Sequence, residues 1–311
     1  MATLDGCAGM QHAQDRFQWD DLRYVLAVAR ARSVSGAAQQ LRVDHTTVSR
    51  RVSRLEQLLN TALFNRTRSG YSTTAAGARV VELAQQMESA LIRCEGEITN
   101  RNDELRGTVR VAAPDGFGSI FLAPRLAQLC TDHPELRVQL YPSQTRYSLA
   151  DREVDIVIGL QKPATGRLTA RKLTEYRIRL YASRSYCDLH ELPRSFEALQ
   201  AAPIIGYVEN LGTEPPVDFL PLLPGKVRAR FASSNLLAQI NAVLAGQGIG
   251  FLPDFVVDGR PEFVPVPVEF QIDRELWLMI HEDNRNLARV QAVAEFIQSE
   301  VRKSRSTFFA D

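Results

Sequence analysis

The chain has 311 residues, of which 45% are hydrophobic and 23% are charged, and its formal net charge is +1. This composition is typical of a globular protein, and the length predicts two or three domains rather than a single core. No apolar run approaches the roughly 18 residues that a transmembrane helix requires, and residues 1–18 lack the apolar core of a signal peptide. We therefore expect no membrane partner and a cytoplasmic location.

Arginine is concentrated near the N-terminus. Between Arg16 and Val80 the sequence has eleven arginines against four acidic residues, a net charge of +7, so the remainder of the chain is net acidic. This asymmetry indicates a polyanionic partner for the basic segment. A solvated basic surface is the alternative.

Apolar residues at helical spacing predict three helices in this basic segment. They are Trp19–Ala31, Val34–Leu41 and a third helix that begins near His45. Ser33 or Ser35 is the predicted N-cap of the second helix, and Asp44 is that of the third. One stripe of the third helix is predicted to be buried, namely Val48, Val52, Leu55 and Leu59.

The second and third helices form a predicted helix-turn-helix. Gly36, Ala37 and Ala38 are small enough to let the helices cross closely, and residues 42–44 supply the turn. With the apolar stripe turned inward, the other face presents hydroxyls and arginines, which suit the major groove of DNA. These residues are Thr46, Thr47, Ser49, Arg50 and Arg54, flanked by His45 and Arg51. A plain helical hairpin has similar spacing and remains an alternative.

A short basic hairpin is predicted after the third helix. Residues 63–64 form one predicted strand, residues 68–70 a turn, and residues 71–73 the return strand. A hairpin in this position is a wing, and Arg66 and Arg68 are its predicted phosphate or minor-groove contacts. A solvated loop is the alternative.

Residues 19–77 resemble the N-terminal domain of LysR-type transcriptional regulators. Three blocks in the same order and spacing carry the resemblance: WDDLRYVLAVARARSVSGAAQQL, TVSRRVSRLEQLL and LFNRTRSGYSTTAAG. It implies a winged helix-turn-helix that binds double-stranded promoter DNA. Many members of the family have Gln-Pro or Gln-Ser where this chain has His45-Thr46, so the preferred bases remain open. The predicted DNA-binding residues are Ser35, His45, Thr46, Thr47, Ser49, Arg50, Arg51, Arg54, Arg66 and Arg68.

One long helix is predicted after the hairpin, because residues 78–105 contain no proline and only one glycine. Its apolar residues recur at intervals of three and four, and they are Val80, Leu83, Met87, Ala90 and Cys94. In LysR-type regulators the equivalent helix pairs two subunits. The resemblance therefore implies a homodimer or homotetramer and a pseudo-palindromic DNA site. A helix that packs on its own chain is the alternative.

From residue 107 onward, predicted strands and helices alternate, which is typical of α/β structure. Two crossovers predict two hinged lobes, as in periplasmic binding proteins. The blocks VRVAAPDGFG, EVDIVIG and AGQGIGFLPDF resemble the LysR-type effector domain. The predicted fold class is thus α+β multidomain. Its parts are an extension (1–16), the winged helix-turn-helix (17–77), the dimerisation helix (78–106) and the effector domain (107–311), with lobe I at 107–160 and 270–311 and lobe II at 161–269.

Ligands of open α/β sheets bind beyond the carboxyl ends of the strands, near helix N-termini. Residues 114–118 are a predicted turn, and a helix is predicted to begin at Ser119, whose amide and hydroxyl would be free for an anion. The expected effector is an unidentified small molecule, with an anion as one candidate. The predicted effector-binding residues are Asp115, Gly116, Phe117, Ser119, Ser143, Gly206, Ser233 and Asn235. Each of them also fits a cap, turn or core position.

Sequence motifs of catalysis and metal binding are absent. There is no GxSxG, P-loop or HExxH, and the five histidines have no metal-ligand spacing. The four cysteines form no Cys-x-x-Cys pair, and a redox pair of Cys130 and Cys187 is an alternative to reduced structural thiols. We expect that the protein is not an enzyme and that it binds neither a metal nor a cofactor. We expect instead a ligand-responsive regulator, with RNA polymerase as a further candidate partner. A solute-binding protein or α/β enzyme with an added basic segment is the alternative.

Overall fold

The structure is a computed structural model that describes residues 18–67, 70–99, 105–143, 154–163, 168–209, 217–225, 227–282 and 284–309. The chain divides into two units, Met1–Cys94 and Glu95–Asp311. Within the described ranges, no helix combines the length and the apolar character that crossing a membrane requires.

The first unit contains helices and one hairpin in its described part. The elements are α1 (Trp19–Ala31), α2 (Val34–Leu41), α3 (His45–Leu59), β1 (Phe64–Thr67), β2 (Gly70–Thr73) and α4 (Ala75–Thr99), whose last residues belong to the second unit. The bounds of α1 and α2 and the start of α3 agree with the prediction. Both strands of the hairpin extend further toward the turn than predicted, and Thr67 pairs with Gly70.

A side-chain cap explains where α2 begins, but α1 and α3 begin without one. The Ser33 side chain accepts a hydrogen bond from the Gly36 amide at 3.0 Å, so Ser33 and not Ser35 is the N-cap of α2. Asp44 occupies the N-cap position of α3 as predicted, but its side chain makes no capping hydrogen bond. The expected contribution of the Asp44 carboxylate to capping is therefore wrong.

The core of the first unit comes from the apolar faces of α1, α2 and α3. Val48 and Leu55 are fully buried and Val52 nearly so, as predicted, but Leu59 is 36% exposed. The predicted burial of Leu59 is wrong because Leu59 is the last residue of α3, and the left-handed φ of 45° at Asn60 then redirects the chain. Leu63, which is fully buried, then fills the core.

The described elements of the second unit alternate between strands and helices. The strands are β3 (Gly107–Ala113), β4 (Leu136–Pro142), β5 (Ile156–Gly159), β6 (Leu168–Ser183), β7 (Ile204–Tyr207), β8 (Ala229–Ser233), β9 (Ile249–Pro253), β10 (Phe263–Pro265) and β11 (Gln271–His281). The α-helices are α5 (Ala123–Asp132), α6 (Arg184–Cys187), α7 (Phe196–Ala201), α8 (Leu236–Leu244), α9 (Asp254–Val257) and α10 (Ala288–Lys303). Short helical turns of other types lie at Phe117–Leu122 (a π-helix), Leu220–Leu222, Asn284–Asn286 and Arg305–Phe308.

All nine strands of this unit form one sheet in the order β4-β3-β5-β11-β6-β9-β7-β8, with β10 paired to β6. Two parallel sets lie at its ends, because β3 is parallel to β4 and β5, and β7 is parallel to β8 and β9. The long strand β11 pairs antiparallel with residues 168–179 of β6, and these two strands join the two sets. The division into two lobes stays a prediction.

The start of the first helix in the second unit differs from the prediction. Asp115 and Gly116 are already helical, and the π-helix Phe117–Leu122 continues directly into α5. The Gly118 amide donates to the Pro114 carbonyl at 2.7 Å, so helical hydrogen bonding begins there. The predicted turn at residues 114–118 and the predicted helix start at Ser119 are both wrong. This helical segment packs closely against β4, because a Cβ on Gly118 would lie 3.0 Å from the Pro142 side chain.

Candidate DNA interface and effector cavity

The first two turns of α3 separate an apolar side from a polar side. Val48 and Val52 are buried, whereas His45, Thr46 and Arg50 are exposed. Thr47 and Ser49 are half-buried at the border between the two sides. The residues of α3 that are predicted to read bases therefore lie together on one surface of the helix. Ser35 is exposed as well, in the first turn of α2.

Two arginines of α3 interact with a carboxylate of α1. Asp21 is fully buried, and its Oδ1 accepts a hydrogen bond from Nη1 of Arg51 at 3.0 Å. The Arg54 Nε lies 3.8 Å from the other carboxylate oxygen, which has no hydrogen-bond partner within the described residues. Arg51 also lies over the Tyr24 ring, 5.7 Å from its centroid. The hydrogen bond that Arg51 donates to Asp21 raises the pKa of Arg51.

This ion pair gives Arg51 a role that the spacing did not indicate. Its guanidinium fastens α3 to α1, because a buried carboxylate is costly unless a cation compensates it. Arg54 keeps 43% of its side chain exposed. Charge alone did not distinguish the two arginines, although the acidic first turn of α1 was visible as Asp20 and Asp21.

The hairpin is held beside α3 by backbone contacts. The Glu56 carboxylate of α3 accepts hydrogen bonds from the amides of Leu63 at 2.8 Å and Phe64 at 3.3 Å. At the other strand, the Tyr71 amide donates to the Arg32 carbonyl at 2.8 Å. A Cβ on Gly70 would lie 2.4 Å from that same carbonyl oxygen, and the φ of Gly70 is +118°, so only glycine fits this position.

These contacts place Arg66 near the polar side of α3. Arg66 is exposed on β1, its guanidinium lies 5.7 Å from the centroid of the Tyr71 ring, and it lines the same groove as Ser49. The predicted wing therefore exists as a hairpin in the expected position. Arg68 lies outside the described residues.

The first part of α4 is attached to α1 and leaves one apolar side uncovered. Arg30 makes a bidentate ion pair with Glu88, with Nη2 to Oε2 at 2.7 Å and Nη1 to Oε1 at 3.2 Å. Ala84 is fully buried, and Val80 packs against the core. Val80 is half-buried against the core of its own chain, and its part in the predicted seam stays a prediction.

The remaining seam residues lie on the same or the adjoining side of α4 as Val80, at and beyond Leu83, and the core does not bury them. Leu83, Met87 and Leu91 are 55%, 44% and 55% exposed in the single chain. Ala90 and Cys94 are exposed as well. The sequence reading missed Leu91, although it follows Met87 at the four-residue spacing of one helix side.

A narrow cavity of about 40 Å³ lies in the second unit. Of the predicted effector residues, Asp115, Gly116 and Phe117 line it. The rest of its wall is largely aromatic and aliphatic. Most of these residues come from β6, β7, β9, β11 and the starts of α8 and α9. The full set is Pro114, Leu160, Tyr176, Ile178, Tyr207, Val217, Phe219, Leu236, Phe251, Pro253, Phe255 and Leu276.

The other predicted effector residues do not line the cavity. Ser119 lies inside the π-helix, so its amide is not at a helix start, and Ser143 donates its amide to the Ala113 carbonyl at 3.0 Å. Gly206 is buried in β7. Ser233 and Asn235 accept hydrogen bonds from the backbone amides of Asn235 and Ala238, both at 3.1 Å, and thereby shape the start of α8.

Polar groups in the cavity wall come from three side chains. The Asp115 carboxylate accepts a hydrogen bond from the Leu236 amide at 2.6 Å, across 121 residues of sequence. Burial raises the pKa of both Tyr176 and Tyr207, and the negative charge of Asp115 raises both further, while Arg274 partly opposes the shift of Tyr176. Both hydroxyls therefore stay protonated and can donate hydrogen bonds.

The cysteines and possible metal ligands show no arrangement for redox or metal chemistry in the described residues. Cys94, Cys130 and Cys187 are free thiols. Burial raises the pKa of Cys187, which disfavours its reactive thiolate. Within the described ranges, no group of three or more His, Cys, Asp or Glu side chains could hold a metal ion.

Comparison with known proteins finds matches for both parts of the chain. The model for bacterial regulatory helix-turn-helix proteins of the lysR family matches residues 19–78. The model for the LysR substrate binding domain matches residues 102–302.

Individual relatives match most of the chain. It is 32% identical to the Mau operon transcriptional activator of Paracoccus denitrificans, over 84% of this chain and 88% of that protein. It is 31% identical to the HTH-type transcriptional regulator CrgA of Neisseria meningitidis serogroup C (strain 8013), over 82% of this chain and 87% of that protein. The solved structure of CrgA, a LysR-type transcriptional regulator from Neisseria meningitidis, is 26% identical, with a TM-score of 0.56 over 92% of this chain and 99% of that one.

Proposed function

This chain belongs to the LysR family of DNA-binding transcriptional regulators with an effector-binding domain, and from that premise we propose how it binds its partners. The segment at residues 17–77 docks on promoter DNA with α3 in the major groove. The residues that read base edges are His45, Thr46, Thr47, Ser49 and Arg50. Those that contact the phosphate backbone or the minor groove are Ser35, Arg51, Arg54, Arg66 and Arg68.

One observation supports this docking mode above others. The start of α3 buries Val48 and Val52 against its own domain while it exposes Thr46 and Arg50. A helix with this division presents short hydroxyls and a long guanidinium to a groove, where arginine binds guanine through two hydrogen bonds. Arg51 makes the weakest candidate of the set, because its guanidinium is already paired with Asp21.

LysR-type regulators oligomerise and bind small-molecule effectors. We propose that one side of α4 meets the same side of a second subunit. Its residues are Val80, Leu83, Met87, Ala90, Leu91 and Cys94. The pairing covers apolar surface that a single chain leaves exposed. It also presents two copies of α3 to a pseudo-palindromic site, and it forms a homodimer or homotetramer in the bacterial cytoplasm.

The effector domain at residues 107–311 then works as the ligand-responsive part. We propose that an effector in the cavity beside Asp115, Gly116 and Phe117 changes the packing of the lobe at 107–160 and 270–311 against the lobe at 161–269. The effector must bind the two arrangements with different affinity, since otherwise it does not shift the equilibrium between them. The protein acts on transcription without enzymatic activity, and RNA polymerase is a further candidate partner.

A mobility-shift titration of the full chain tests the DNA-binding surface. An operator selected from random duplexes is compared with a scrambled duplex of equal length at several salt concentrations. Binding should weaken steeply with salt, because phosphate contacts release counterions. Arg50→Ala should reduce the preference for the operator by about tenfold or more, as expected for one lost base contact.

Gln57→Ala is the matched control, because Gln57 is exposed on the same helix beyond its first two turns. It should leave the operator preference unchanged. An Arg50→Ala protein with the operator preference of the wild type would rule out the proposed base contact, and a chain that ignores duplexes in dilute buffer would rule out the docking mode.

A further inference from the structure

The start of α8 is already occupied by a carboxylate of the chain itself. Leu236 is the first residue of α8, and its amide donates to Asp115 at 2.6 Å. Helix N-termini attract anions because their first amides are unpaired and the helix dipole is positive there. Asp115 therefore takes the place in which an anionic ligand would otherwise be held.

The charge of the cavity wall points the same way. Among the described residues that line the cavity, Asp115 is the only one with a formal charge. The cation Arg274 does not line the cavity, and its guanidinium lies 5.6 Å from the centroid of the Phe219 ring. A second carboxylate placed beside Asp115 would thus meet like charge in a site that is largely apolar, where repulsion is weakly screened.

The hydroxyls of Tyr176 and Tyr207 supply a second, independent sign of a ligand. Both side chains are 93% buried, since each keeps only 7% of its surface exposed, and both line the cavity. Within the described part of the chain, neither hydroxyl has a hydrogen-bond partner. Buried polar groups in proteins are normally satisfied, so these two donors are suited to an acceptor on a bound molecule.

The aromatic wall indicates what the body of that molecule is. Phe117 and Phe255 meet edge to face with their centroids 5.9 Å apart, and Phe219 and Phe251 lie 5.8 Å apart. Such rings pack favourably against a further aromatic ring. The cavity of about 40 Å³ is smaller than the roughly 150 Å³ that accommodates benzene, so a ring can enter only when the walls move apart.

We propose that the effector is a small aromatic molecule without a negative charge, whose acceptor takes a hydrogen bond from Tyr176 or Tyr207 and whose donor faces Asp115. The inference rests on the proposed function of the same cavity and names the class of its ligand. Entry of the ring separates the start of α8 from Asp115. The effector thereby acts on the hydrogen bond between the Leu236 amide and Asp115, which links the helix after β3 to α8.

Benzamide and benzoate form a matched pair of probes, because they have the same ring and nearly the same shape but differ in charge. Isothermal titration of the full chain should show benzamide binding and benzoate binding at least about tenfold more weakly. Asp115→Asn keeps an acceptor for the Leu236 amide while it removes the charge. This substitution should reduce the difference between the two probes to less than about threefold.

Tyr207→Phe is the second variant, and it leaves Asp115 in place. Loss of one hydrogen bond should weaken benzamide binding by about fivefold. Equal or tighter binding of benzoate by the wild type overturns the proposal, and so does a wild type that binds neither probe. A mobility-shift assay on the same samples distinguishes a failure of the ligand class from a failure of the proposed function. Intact operator binding with a preference for benzoate refutes only the ligand class. Lost operator binding refutes the proposed function.

Discussion

Glu56 is predicted to hold the hairpin in position for DNA, and its removal should loosen the hairpin. Its carboxylate is the acceptor for the amides of Leu63 at 2.8 Å and Phe64 at 3.3 Å. Leu63 is fully buried, so Glu56→Ala would leave its amide without a partner away from water. A buried unsatisfied donor costs about 1–3 kcal/mol, and the longer second bond adds little.

Differential scanning calorimetry of the full chain measures this cost. In a domain of this size, about 1–3 kcal/mol lowers the midpoint of unfolding by roughly 5–15 °C, and the transition of the first unit should move while that of the second stays in place. Glu56→Gln keeps a carbonyl acceptor and should lose less than half as much. If the alanine variant unfolds at the temperature of the wild type, or if glutamine is as harmful as alanine, Glu56 does not act through these two amides.

Two further predictions concern the same unit. Leu91→Asp or Leu83→Asp should convert the oligomer to monomers in sedimentation velocity, because a charge would enter the apolar side of α4. The control Gln86→Asp adds the same charge at an exposed position outside that side and should leave the assembly intact. An oligomer that survives all three changes would place the interface elsewhere. Arg51→Ala should lower the thermal stability of the first unit, since Asp21 would be buried without its cation. Arg50→Ala should leave that stability unchanged. If Arg50→Ala destabilises the unit and Arg51→Ala does not, the roles of the two arginines are exchanged.

Much of the DNA-binding unit could be predicted from the sequence, because its helices are short-range features. The spacing of Val48, Val52 and Leu55 determines which side of α3 is buried and therefore which side is left for DNA. The αα turn and the hairpin also have local signals in small and turn-forming residues. The error in the buried stripe fell where the local pattern ended, because Leu59 is the last residue of α3 and is 36% exposed.

The ligand cavity could be predicted only in part. Asp115, Gly116 and Phe117 follow a strand end and could be proposed from topology, whereas Tyr176, Tyr207 and Phe255 carry no local mark that separates a cavity wall from an ordinary core. They come together because the central strands β6 and β11 join the two parallel sets of the sheet, so that segments distant in sequence line one cavity.

By itself, the sequence determined where the helices of the first unit begin, which side of α3 faces its own domain, and that an α/β body follows. Only the tertiary structure decided that Arg51 is tied to Asp21 and that Asp115 occupies the start of α8. The physical reason is the range of the interactions. Helical periodicity and capping act over a few residues and leave a trace in the local pattern, whereas the Asp115–Leu236 bond joins groups 121 residues apart, so it exists only after the chain has folded.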